Sequence, residues 1–310
     1  MEKNNQFRTS IGGQALIEGI LMRGPEKQAI VVRSPEGLVT RVEELTLVKD
    51  KYPILGWPII RGAVTFLDSM VRGVKALMFS ADYYPDDENT QPSKLDQWLE
   101  AHIPAEKLQS VLVWVSVLLS LGLTLLLFML LPTFIAGLFH ARHAAVHNLI
   151  EGAVKIVIFL GYLILCSRQK DVRRVFCYHG AEHKTIFCYE AGLPLTVENV
   201  RIQRRFHPRC GTSFLILTLL VSILITTFIR IDSLPLRLLV KAPTLPLIVG
   251  LSYELIKFAG RTDNKLTRII SAPGIALQHL TVFEPEDGMI ECAIRAMEKA
   301  IPDDGSDEIH

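Results

Sequence analysis

A chain of 310 residues accommodates one large or two ordinary domains, and its 49% hydrophobic content, with a mean hydropathy of +0.30, is too apolar for an average soluble protein. The formal net charge of +1 excludes a strongly basic nucleic-acid binder and an acidic disordered solvator. Five cysteines, Cys166, Cys177, Cys188, Cys210 and Cys292, are odd in number and too sparse for a disulfide framework, which points to reduced thiols.

Residues 1–94 read as a small N-terminal cytosolic α+β domain with a linker. The polar start MEKNNQFRTSIGG predicts no cleavable signal. AIVVRS (29–34), a Pro35-Glu36-Gly37 turn and LVTRVEELTLV (38–48) predict a β-hairpin. From Pro58 to Ala81 apolar residues recur at helical spacing, and Asp68, Gly62 and Gly73 favour packing of this amphipathic helix on the hairpin over anchoring in lipid. The polar stretch 82–94 is the linker.

Residues 95–260 read as a membrane bundle. Four spans are predicted, at about 110–131, 144–166, 212–229 and 234–258, the first being free of charge and long enough to cross a hydrocarbon core of about 30 Å. Glu151 and Lys155 in the second span are four apart and can pair along the helix. The connecting segment 167–211, read as a cytosolic His/Cys loop, holds nine Lys and Arg, whereas the segments around 137–143 and 230–237 hold few, so both chain ends are expected in the cytosol. Residues 261–310 then form a cytosolic helix with an apolar stripe from Met289 to Ile301 and an acidic tail. The expected fold is thus an α-helical polytopic membrane protein whose partner is the lipid bilayer. His140, His143 and His147 fall on the outer side as interfacial residues.

The most specific local pattern is HGAEH, His179 to His183, with H-x-x-E-H spacing. On a helix, positions four apart differ by about 40° and about 6 Å, so both imidazoles can reach one ion. Glu182 then stands where a carboxylate activates water in zinc peptidases of the inverted type. Gly180 weakens a helix by about 1 kcal/mol relative to Ala and leaves a loop conformation open.

A catalytic zinc takes three protein ligands, and several residues compete for the third place. His207 and Cys210 in RFHPRCGTSF offer an imidazole and a thiolate. Glu254 in SYELIK offers a distal carboxylate, unless Lys257 pairs with it. Glu190 lies about 10 Å further along a continuous helix, which makes it a supporting residue. The Gly-rich segment Gly12 to Pro25 lacks the pattern of a phosphate loop. It forms either a tight turn with surface charge or a substrate contact through Glu18 and Arg23, and Gln278 and His279 carry the same ambiguity.

Taken together, GGQALIEGILMRGP (12–25), HGAEHKTIFCYE (179–190), FHPRCGTSF (206–214), SYELIK (252–257) and PGIALQHLT (273–281) resemble the YqhQ family of bacterial membrane proteins, over nearly the whole chain. Val282-Phe283 before Glu284-Pro285 departs from the polar residues expected there. The resemblance implies a multi-pass protein of the bacterial plasma membrane, and the family's description as a predicted metal-dependent enzyme rests on the same His and Glu pattern.

The expected function is a zinc-dependent, peptidase-like hydrolase at the cytosolic face, with Glu182 as base and a protein or peptide as substrate. A scaffold or sensor with a structural zinc on His179, His183, His207 and Cys210 is the alternative. A transporter drawing on Glu151, Lys155, Arg237 and Lys241 ranks below both, because no internal repeat is visible. A homo-oligomer is compatible with each.

Overall fold

Apolar residues on both sides of the N-terminal strands require cover on two faces, and the chain supplies it from distant segments. The structure, a computed structural model, describes residues 7–45, 52–84, 105–139, 143–227, 234–261 and 264–309. Strands β1 (Gly12–Leu16), β2 (Gly19–Arg23), β3 (Lys27–Ser34) and β4 (Gly37–Glu44) form an antiparallel sheet in spatial order β1-β2-β3-β4. The expected hairpin is β3–β4, in register from Lys27↔Glu44 to Ser34↔Gly37. The Gly-rich segment is a second hairpin rather than a bare turn, with Glu18 at its bend at φ +49°.

Period-two alternation divides the core. Ile20, Met22 and Val31 pack with Tyr178 and Ala181 of a helix, α5 (Lys170–Glu190), and with Ile290, Ala293 and Met297 of the last helix, α10 (Asp287–Ala300). Leu16, Leu21, Ile30 and Val32 face the other way, against Ala76, Phe79 and Tyr83 in and just beyond helix α1 (Ile60–Ala81). The N-terminal residues are therefore not a domain of their own. The described parts of Met1–Tyr84 and Leu163–His310 form one compact unit, in which α1, α5 and α10 cover the sheet.

Helix α1 turns opposite to expectation. Its buried positions are the small residues Gly62, Gly73, Ala76 and Ser80, while Leu67, Met70, Val71, Val74 and Met78 are exposed. Small residues let the backbone approach closely: at Gly62 a Cβ would stand 2.7 Å from Tyr253 and 3.0 Å from the Gly250 backbone of helix α8 (Leu234–Arg261). The large side chains are then left on the outer face.

The described parts of Pro85–Tyr162 form a second unit. Helix α2 (Ala105–Leu125) runs through a π-turn at Leu126–Leu130 into α3 (Leu131–Leu138), so the helical segment extends past the expected end of the first span. Pro132 follows the widened turn, as expected of a residue that cannot donate to the ladder. Helix α4 (Ala144–Arg168) carries the Lys155–Glu151 pair at 2.6 Å, as the spacing predicts. Among the described residues two helical segments are long and apolar enough to cross a membrane, Trp114–Leu138 and Ala145–Arg168. Helix α7 (Gly211–Thr227) is apolar but shorter, and α8 runs through Pro243 and Pro246. The linker from Pro85 onward, His140, Arg142, Arg230 and the side chains of Arg237 and Lys241 lie outside the described residues.

The expected loop 167–211 is largely helical, comprising α5 and the short α6 (Val197–Arg201). Gly180 does not break α5. A Cβ there would stand 1.9 Å from the Phe283 carbonyl oxygen, so the glycine admits the crossing strand of backbone after α9 (Lys265–Thr281). The acidic C-terminal residues are likewise engaged: Thr9 Oγ1 donates to Asp307 Oδ2 at 2.5 Å, and the Ile309 amide donates to the Arg8 carbonyl at 2.8 Å.

Gly180→Ala separates the two roles of the glycine. Helix propensity alone would raise stability by up to about 1 kcal/mol, whereas overpacking against Phe283 costs about 1–3 kcal/mol. The variant is expected to unfold at a lower temperature than the parent in a thermal melt followed by circular dichroism, and a raised midpoint would contradict the close approach.

Candidate metal centre

Helix α5 presents His179, Glu182 and His183 on one face, at the i, i+3 and i+4 positions that are neighbours on a helix surface. The imidazole centroids are 4.4 Å apart. Each ring is held from behind by a backbone carbonyl: His179 Nδ1 lies 2.9 Å from the Thr281 oxygen and His183 Nδ1 lies 2.6 Å from the Arg205 oxygen. A carbonyl oxygen only accepts, so both Nδ1 atoms carry the proton and both Nε2 lone pairs are left for another partner.

Cys210 occupies the space in front of them. Its Sγ is 3.0 Å from His179 Nε2, and one ligand atom from each of His179, His183 and Cys210 lies within 4.8 Å of the others. Burial pushes the Cys210 thiol up, but His183, the Thr212 hydroxyl and the Thr212 amide outweigh it and hold its pKa below the ordinary value. Burial pushes His183 down, which favours the neutral, ligating form of the ring. His183 Nε2 is buried and faces the Cys210 thiol, with which it interacts, but makes no well-formed hydrogen bond among the described residues.

Glu182 completes the face. Its Oε1 accepts the Gly13 amide at 3.1 Å, while Oε2 is buried and has no hydrogen-bond partner among the described residues. Burial, the dominant cause, raises its pKa to about 7, against the opposing pull of His179. Gly13 is required by this contact, since a Cβ there would stand 2.9 Å from the Glu182 side chain and 2.7 Å from the Leu21 oxygen. Buried polar atoms are almost always paired, at a cost of about 1–3 kcal/mol when they are not. Two adjacent orphans facing a thiol with a lowered pKa fit a bound cation, and two imidazoles with one thiolate form a donor set suited to zinc. A cavity of about 390 Å³ reaches Glu182, His183 and Cys210 and is bounded opposite by Gly12, Gly13 and Ile309.

The remaining predicted residues divide between support and other places. His207 does not join the cluster: its Nδ1 accepts the Arg209 amide at 3.3 Å and its Nε2 lies 3.9 Å from Glu190. Burial lowers the His207 pKa against the pull of Glu190. Glu190 also pairs with Arg209 and accepts the Thr9 amide at 3.1 Å, which makes it a brace for the 207–210 turn, as its position on α5 suggests. Glu254 lies outside the His179–His183–Cys210 cluster and accepts from Arg61 on α1 at 2.7 and 2.5 Å. Glu18 pairs with Arg174 and accepts from Tyr178 at 3.1 Å, and Arg23 pairs with Asp68 at 2.5 Å, so neither touches the cluster.

Two contributors were not foreseen, and a third, Gln278, was singled out without its role. The backbone oxygens of Arg205 and Thr281 carry no sequence signal at all. Gln278 locks the turn by donating to the His207 oxygen at 2.7 Å while accepting the His207 amide at 2.8 Å, and its burial explains a polar residue on the inner side of α9.

The ligand set has a direct test. Glu254→Gln is expected to keep the zinc content of the purified protein, whereas His183→Ala is expected to weaken zinc binding by at least tenfold, read by elemental analysis and competition with a chelating dye. Loss of metal in Glu254→Gln would restore the distal carboxylate as a ligand.

Comparison with known proteins places these features in a family. The family described as "Protein of unknown function (DUF1385)" matches residues 57–303. The chain is similar to "Uncharacterized protein YqhQ" of Bacillus subtilis (strain 168), with 33% identity over 301 residues that cover 94% of this chain and 92% of the relative. No solved structure matches the chain.

Proposed function

The chain belongs to this family, and on that premise we propose that it is a zinc-dependent, peptidase-like hydrolase embedded in the bacterial plasma membrane with its reaction centre on the cytosolic side. The observation that carries the proposal is the convergence of His179, His183 and Cys210 beside Glu182, whose buried Oε2 and the buried His183 Nε2 make no well-formed hydrogen bond among the described residues. His179, His183 and Cys210 would hold the ion. When bound, zinc supplies the Lewis acidity that makes water a nucleophile near neutral pH and polarises a carbonyl. Glu182 Oε2 is the atom that would take the proton from water and return it to the departing amine. The Gly13 amide fixes the other carboxylate oxygen, so the carboxylate cannot rotate away.

Three ligands rather than four favour a hydrolase over a structural zinc clamp, since a closed site needs a fourth donor and His207 is engaged by Arg209 and Glu190. The cavity against Glu182 offers a substrate approach. Membrane embedding is supported by Trp114–Leu138 and Ala145–Arg168, with α7 and α8 as the third and fourth spans, and the cytosolic orientation by the nine Lys and Arg in 167–211.

Glu182→Gln is expected to lower the peptide hydrolysis rate by about 10²–10⁴ while zinc stays bound, whereas His179→Ala is expected to lose both; retained turnover in Glu182→Gln would remove the base from its role. For orientation, a cysteine placed at His143 in a chain lacking its native cysteines is expected to react with a membrane-impermeant maleimide on intact cells, and one placed at Lys299 only after lysis.

A further inference from the structure

A second chamber adjoins the metal cavity. It measures about 590 Å³ and shares with that cavity the residues Ser10, Gly12, Gly13, Tyr253 and Lys257, so the backbone of β1 forms a common wall. Its lining is strongly cationic. Arg23 from β2, Arg61 and Arg72 from α1 and Lys257 from α8 meet here, answered by the carboxylates of Asp68 and Glu254. Arg61 is committed to Glu254 through two hydrogen bonds. Arg23 and Arg72 instead share one carboxylate, Asp68, at 2.5 and 2.9 Å, and Arg23 also donates to Ser69 Oγ at 3.0 Å. Two guanidiniums on a single carboxylate leave an excess positive charge in the chamber.

Gln28 also lines the chamber, and its amide donates to Glu43 at 2.8 Å.

We propose that this chamber is the substrate-recognition subsite of the metal centre, in which Arg23 and Arg72 grip an oxyanion of the substrate, a carboxylate or a phosphate, with Asp68 standing as its internal substitute until the substrate arrives. The proposal rests on the hydrolase reading above, because the shared lining of β1 and α8 sets the anionic end of a ligand held here next to the space beside Glu182. Neighbouring cavities of this size suit a small molecule or a short peptide end.

The test is calorimetric titration of the full chain in detergent with glutarate and, separately, with inorganic phosphate at constant ionic strength, alongside its zinc content. Arg23→Gln and Arg72→Gln are expected to weaken the preferred anion by about tenfold, the loss of one charge-assisted bond. Asp68→Asn is expected to tighten it by about tenfold, a gain that a damaged fold does not produce. His183→Ala, depleted of zinc, is expected to keep the anion affinity within about twofold. Preference for glutarate assigns a carboxylate-bearing substrate, and preference for phosphate a phosphorylated one. Absence of binding by either probe, no tightening in Asp68→Asn, or loss of the anion together with zinc in His183→Ala would overturn the subsite. Zinc retained by His183→Ala, with the arginine and Asp68 effects intact, would instead overturn the metal centre and leave the chamber standing.

Discussion

Two hydrogen bonds from ring nitrogen to backbone carbonyl, His179 Nδ1 to Thr281 and His183 Nδ1 to Arg205, set the character of the site. Each fixes a tautomer and aims the opposite nitrogen at Cys210. The carbonyls come from the end of α9 and from the turn before α7, so ring orientation depends on segments 22 and 102 positions away. Everything that positions α9 and that turn against α5 therefore also tunes the site. The Gln278 clamp on the His207 backbone is one such element. The Glu190–Arg209 pair, which ties the turn back to α5, is another. An outer layer of this kind is what ligating histidines require, because a ring free to rotate loses its ion affinity through lost pre-organisation.

The same crossing explains the composition of α5. A helix that brings buried His183, Glu182 and Lys184 into the interior must satisfy each of them, and the chain does so from outside the helix. Lys184 donates to the Arg201 oxygen at 2.8 Å and pairs with Glu284 at 2.7 Å, Glu182 takes the Gly13 amide, and His183 takes the Arg205 oxygen. Among the described residues of α5, the buried polar atoms left without a well-formed hydrogen bond are one nitrogen of His183 and one oxygen of Glu182, a pattern that points to a bound cation there.

The sequence was legible where periodicity or residue chemistry speaks directly. The β3–β4 hairpin followed from its turn, α2 from an uninterrupted apolar run, α4 from an apolar run broken only by the Glu151–Lys155 pair, and the His179–His183 pair from i,i+4 spacing. Cys210 was foreseen as one candidate of three, but that it alone would lie beside His179 and His183 was not, because tertiary partners place the others: Arg209 and Glu190 around His207, Arg61 around Glu254. Gly180 was misleading for a related reason. Low helix propensity reports on the isolated chain, whereas the close passage of Phe283 requires glycine in a helix that tertiary contacts hold together. The Gly12–Pro25 segment hid two strands because glycines depress strand propensity, although Gly13 is there to admit Glu182. The inverted face of α1 shows the limit of binary patterning: hydrophobicity locates a stripe, but close approach through Gly62, Gly73 and Ala76 decided which side met the protein.

The strand β1 links these observations. Its glycines carry no side chains into either cavity, and Gly12 and Gly13 line both the metal cavity and the arginine chamber. One amide of that segment holds Glu182, and its neighbours border the chamber where Arg23 and Arg72 converge on Asp68. A larger residue at Gly13 would push on Glu182 from one side and on Leu21 from the other. The glycine-rich hairpin thus does for the substrate path what the two carbonyls do for the rings: it uses backbone, whose position side-chain rotation cannot change, to hold a carboxylate in place beside a space large enough for a ligand.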